Sequence, residues 1–185
     1  MGYEKIWREI RGIIQNSNLP EDPIHAENTL RWLLILKPDA DEALKLSAFG
    51  HDIERAIEEK KVRREDYKSF QEFKMAHALN SALILKEIIL KNDGPIPLAE
   101  EVFRIVRLHE IGGDQRSDLI RDADSISFFD TNLPYYFKRE GVKDTEVRCR
   151  WGYNRLSDRL RPIVEKFKYS DPRLEEIMKR IIREY

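Results

Sequence analysis

The chain carries one cysteine, Cys149, among its 185 residues. A single thiol excludes an internal disulfide framework and fits a reducing compartment. With no histidine near it in sequence, Cys149 reads as a small passive side chain rather than a nucleophile. An excess of charge is missing too. The 33 Lys and Arg against 34 Asp and Glu leave a formal net charge of −1, so no nucleic-acid polymer is expected as a partner. No apolar run approaches the ~20 residues of a membrane span. The opening MGYEKIWREIRGII is charged throughout and lacks the apolar centre of a secretory signal. Ile6 stands where N-myristoylation of Gly2 would want Ser or Thr. The expectation is a cytoplasmic protein without a membrane partner; a homo-oligomer stays open.

Glycine and proline are scarce, eight of each, and they fall between periodic segments. Alternation of period two is absent over any useful length, which excludes a sheet-based fold. What remains is helical period nearly everywhere. EKIWREIRGII places Ile6, Ile10 and Ile13 on one stripe. EDPIHAENTLRWLLIL offers Asp22 as a helix cap and Pro23 as the first helical residue. DADEALKLSAFGHDIERAIEEK reads as one helix of about six turns at 3.6 residues per turn. The charged KKVRRED reads as a loop, and SFQEFKMAHALNSALILKEIILKN as a long amphipathic helix closed by DGPIP. LAEEVFRIVRLHE stops at Gly112–Gly113, and SDLIRDADSISFFD restarts with Ser117 or Asp118 as cap. Two further helices are expected near 144–168 and 171–184. The reading is an all-α single domain over 1–185, with a core bundle at 20–130 and the terminal helices packed on it.

Histidine is scarce as well, and its placement is informative. There are four, His25, His51, His77 and His109, each on the apolar stripe of its own expected helix. His51 is three after Ala48, His77 is four after Phe73, His109 is four after Ile105, and His25 is seven before Trp32. Such spacings share a helix face. One histidine on an apolar face is ordinarily a satisfied core residue. Four on four separate helices, with none elsewhere, favour a metal site built from neutral imidazoles and carboxylates in a bundle. Asp52, adjacent to His51 and midway between Ala48 and Ala56, is one inward carboxylate. RDADSI offers Asp122 and Asp124. Asp124 has Ile120 and Phe128 one turn away on either side, so it is the better ligand, whereas Asp122 suits a supporting or surface role.

The ordered set His25, His51-Asp52, His77, His109 and Asp124, with the contexts HDIERA and DADSI, resembles the HD-domain superfamily of metal-dependent phosphohydrolases over about residues 20–130. The resemblance implies an HD-domain/phosphodiesterase-like helical bundle. It implies one metal on His25, His51, Asp52 and Asp124, and a second on His77 and His109 with Asp52 bridging. The series is similar to that of the HD-GYP phosphodiesterases and of myo-inositol oxygenase. His77 is followed by ALNS and the GYP element is absent, which speaks against direct cyclic-dinucleotide activity. Arg55 stands where some members carry a glutamate three residues after the doublet aspartate; the HD-GYP branch has a lysine there. Arg55 is thus a candidate phosphate contact, or else a solvated surface arginine.

The implied activity is hydrolysis of a small phosphate ester, such as a nucleotide, by a metal-activated water, with Asp52, Arg55, His77 and His109 as catalytic residues. The implied cofactors are one or two divalent ions (Fe, Mn, Ni, Co, Zn or Mg), and the partner is the phosphorylated substrate. With a single metal, His77 and His109 would instead bind phosphate or shuttle a proton. A dinuclear non-haem iron oxygenase and a non-catalytic metal-stabilised nucleotide-binding module are the alternatives. Towards the C-terminus, Arg148, Arg150, Arg155, Arg159 and Arg161 lie beside Trp151 and Tyr153. They read either as a phosphate-and-base contact or as a charged helix face around a core tryptophan. Tyr135 and Lys138 are candidates for a pocket wall.

Overall fold

The computed structural model describes residues 2–185. The chain is all-α, as the periodicity requires. Its helices are α1 (Glu4–Gln15), α2 (Glu21–Leu36), α3 (Glu42–Gly50), α4 (Phe70–Lys91), α5 (Ile96–Leu108), α6 (Gln115–Ser127), α7 (Leu133–Arg155), α8 (Arg161–Val164) and α9 (Pro172–Glu184). Two compact units divide it, Met1–Ala123 and Asp124–Tyr185.

In the first unit α4 packs along α5, α3 on α2 and α5, and α1 on α2, α3 and α4. The α1 stripe buries Ile6, Ile10 and Ile14, not Ile13, because a four-residue step keeps all three on the bundle side. Fully burying an aliphatic side chain of this kind contributes about 1.5–3 kcal/mol. α4 starts at a capping box: Ser69 Oγ accepts from the Glu72 amide, and the Glu72 carboxylate accepts from the Ser69 amide.

Three expected boundaries move. α2 begins at Glu21, so Asp22 lies inside the first turn rather than capping it. The single helix expected over DADEALKLSAFGHDIERAIEEK ends at Gly50, and a 3₁₀ turn, Ile53–Ala56, follows. A Cβ on Gly50 would come within 2.6 Å of Leu85 Cδ2, so the missing side chain lets α3 end hard against α4. α6 is capped not by Ser117 or Asp118 but by Asp114, whose Oδ1 accepts from the amides of Arg116 and Ser117.

In the second unit α7 packs on α9. α7 breaks at Gly141, whose φ of 79° and ψ of −173° suit a residue without a Cβ. The helix expected over 144–168 also divides, into the end of α7 and the short α8. Among the described residues no helix is long and apolar enough to cross a membrane.

Candidate metal centre

All four histidines belong to the first unit and are buried. His25 projects from the second turn of α2, and His77 from the second turn of α4. His51 and His109 occupy equivalent places, each the residue that ends a helix, α3 and α5 respectively. Asp52 follows His51 at the start of the 3₁₀ turn.

The four imidazoles surround one carboxylate. Nε2 of His77 lies 2.7 Å from Asp52 Oδ1, that of His51 3.6 Å and that of His109 3.9 Å, while His25 Nε2 is 3.9 Å from Oδ2. His51 stands edge-on to both His25 and His109, with ring centroids 5.1 Å apart in each case. Two groups sharing Asp52 result: His25, His51 and Asp52, and Asp52, His77 and His109. In each, the potential ligand atoms lie within 4.8 Å of one another. A cavity of about 10 Å³ opens beside His25, His51, Asp52 and Asp22, the order of volume that one water needs.

The far nitrogens explain which atoms face inward. His51 Nδ1 is 2.9 Å from the Ala48 carbonyl, and His109 Nδ1 is 2.7 Å from the Val106 carbonyl. A carbonyl only accepts, so in both rings Nδ1 carries a proton, and in the neutral form Nε2 presents its lone pair towards Asp52. These neutral donors with a shared carboxylate fit a divalent transition-metal ion, whose histidine ligands are ordinarily held through the second ring nitrogen.

Charge is concentrated here. Burial opposes ionisation of Asp52, yet His51, His77 and Arg55 hold its carboxyl well below the usual range. His77 is penalised by burial but lies between Asp52 and Glu54, which raise it to about 9. Burial lowers His109, against the pull of the Glu110 carboxylate 3.3 Å from its Nε2. Arg55 does not face open solvent only. Its Nη1 donates to Asp52 Oδ2 at 2.8 Å, and its Nη2 lies 3.1 Å from Asp22 Oδ1.

Three acidic residues at the centre were not among the candidates. Asp22 pairs with Arg55. Glu110 is buried beside His109 and forms an ion pair with Lys74. Glu54 is buried, and its Oε1 accepts from His77 Nδ1 at 2.6 Å. On a continuous helix, a residue two after Asp52 would point about 200° away; the 3₁₀ turn brings it inward. The HE dipeptide at 109–110 was the one sequence signal for Glu110.

Asp124 opens the second unit on the last turns of α6, where its carboxylate lies 3.7 Å from Arg155 Nη1. Asp122 belongs to the first unit, 3.7 Å from Arg121 Nη2. In the second unit Arg148 lies over the rings of Phe128 and Trp151, 4.1 and 4.6 Å from their centroids, and Arg155 lies over Trp151. Arg150 pairs with Glu146 and Glu184, and Arg161 lies over the buried Tyr153. Lys138 lines a groove of about 500 Å³ with Phe137 and Tyr169, a lining that does not include Tyr135. Burial pushes the Cys149 thiol up to about 12, which keeps it protonated and inert.

No curated protein and no solved structure matches this chain. A family model described as "Domain of unknown function (DUF4202)" matches residues 10–178, a span that contains the four histidines, Asp52 and Asp124. With nearly the whole sequence inside that match, the chain belongs to the DUF4202 family.

Proposed function

We propose that this chain is a metal-dependent phosphohydrolase of the HD superfamily, acting on a small phosphate ester such as a nucleotide. The observation that carries the reading is the convergence of four histidines on the two oxygens of Asp52, in two donor groups that share this carboxylate. His25, His51 and Asp52 would hold one divalent ion, and Asp52, His77 and His109 a second. Ions so held polarise a phosphoryl oxygen and lower the pKa of bound water towards ~7.

The chain's own residues would orient the reactants. The carbonyls of Ala48 and Val106 fix the tautomers of His51 and His109, and with them the direction of both lone pairs. Arg55 directs two nitrogens at Asp52 and Asp22 and keeps further N–H donors for phosphate oxygens. Asp22 holds that guanidinium from the far side and so aims it.

Elemental analysis of the purified protein, joined to a panel of nucleotide, phosphomonoester and phosphodiester substrates, tests the proposal. Bound transition metal with metal-dependent phosphate release is expected. A chain without metal, or one that binds nucleotide without turnover under every divalent ion, overturns it. So does oxygen consumption with a polyol or phosphonate in place of phosphate release.

A further inference from the structure

Glu54 is a buried carboxylate at the centre that receives two donors from different parts of the chain. Its Oε1 accepts from Nδ1 of His77 on α4 at 2.6 Å, and its Oε2 accepts from the backbone amide of Val62, also at 2.6 Å. Its own amide lies 3.4 Å from the Ser81 hydroxyl, one turn beyond His77 on α4. The side chain is almost wholly enclosed, with the residue 1% exposed. A buried carboxylate is costly unless its oxygens are satisfied, and here each oxygen has a specific partner.

Only a carboxylate meets both demands. A glutamine carries one acceptor oxygen and one NH₂ group, so it would leave either His77 Nδ1–H or the Val62 amide facing a donor. The other two histidines with a defined Nδ1 partner, His51 and His109, rest on neutral carbonyls. His77 alone among these three has a charged acceptor behind it, and a charged acceptor makes the opposite nitrogen a stronger donor.

We infer that Glu54 is a positioning residue for the His77 side of the centre: it orients His77 towards the cation shared with Asp52 and His109, and it ties that ligand to the chain at Val62. The inference rests on the metal reading above. It sets His77 apart from His51 and His109, whose Nδ1 atoms rest on backbone carbonyls.

Calorimetric titration with Mn²⁺ of the wild-type chain, Glu54→Gln, Glu54→Asp and His77→Ala tests it. Glu54→Gln should weaken by about 10–100-fold the binding event that His77→Ala removes, and leave the other event unchanged. Glu54→Asp, which keeps two charged oxygens, should recover part of the loss. Hydrogen exchange on the metal-free proteins gives a readout independent of metal: the Val62 amide should exchange faster in Glu54→Gln than in the wild type. Wild-type Mn²⁺ binding in Glu54→Gln, an equal loss at both events, or an unchanged Val62 amide overturns the assignment and leaves the metal reading standing. A wild-type chain that takes up no Mn²⁺ overturns both.

Discussion

His77 Nε2 lies 2.7 Å from Oδ1 of Asp52, the closest of the four imidazole approaches to that carboxylate. Asp52 is therefore the common element of both donor groups, and its charge matters more than its shape. Asp52→Asn keeps the volume and one acceptor oxygen but removes the charge. Divalent-metal affinity should fall by more than about 100-fold, beyond the 10–100-fold typical of residues that only support a ligand. Equilibrium dialysis with metal analysis measures this; retention of wild-type metal content would remove Asp52 from the centre.

The two donor groups predict which histidines act together. His77→Ala and His109→Ala should each reduce bound metal by one ion per chain, since both belong to the same group. The double variant should lose no more than either alone. Native mass spectrometry after metal loading counts the ions, and unchanged binding in both single variants would exclude a second position.

Gly50 predicts a packing effect. Leu85, whose Cδ2 would lie 2.6 Å from an added Cβ, is fully buried and has little freedom to retreat. Gly50→Ala should destabilise the fold by about 1–3 kcal/mol, a Tm drop of roughly 2–10 °C for a chain of this size. Thermal unfolding by circular dichroism reads it directly. A stability equal to the wild type would mean that α3 and α4 can part without cost.

Asp114 predicts a pH dependence. Burial would raise its carboxyl, but Arg104, the Ser117 hydroxyl and two backbone amides lower it to about 2. A carboxyl depressed in the folded state stabilises the fold above its unfolded pKa near 3.8, and this contribution is lost as pH falls towards 2. Asp114→Ala should cost about 1 kcal/mol at pH 7 as a lost helix cap, with the difference from wild type shrinking between pH 4 and pH 2. Urea unfolding across that range checks the sign; a gap that widens on acidification would contradict it.

Much of this architecture is legible in the sequence because it depends on periodicity. The α4 helix follows from its apolar spacing and the Ser69–Glu72 cap, and the inward direction of His25 and His77 follows from their helical positions. The expected helix through His51 and Asp52 was wrong for a local reason. Its apolar spacing continues past Gly50, but the backbone tightens there into a 3₁₀ turn, where a 100° step per residue no longer applies. Glu54 was missed for the same reason. Asp22 and Glu110 were missed because their partners, Arg55 and Lys74, lie 33 and 36 residues away, a pairing that no local pattern carries.

The turn after Gly50 has a consequence for how two neighbouring residues can serve one ion. In a continuous helix, consecutive side chains diverge by about 100°, and His51 and Asp52 would address different surroundings. Here the imidazole Nε2 and the Asp52 carboxylate nevertheless lie 3.6 Å apart. In the proposed metal centre these adjacent residues would form the two arms of a chelate, closed by one peptide unit. Folding a single turn orders both donors together, and the entropy of gathering them is met before any cation arrives.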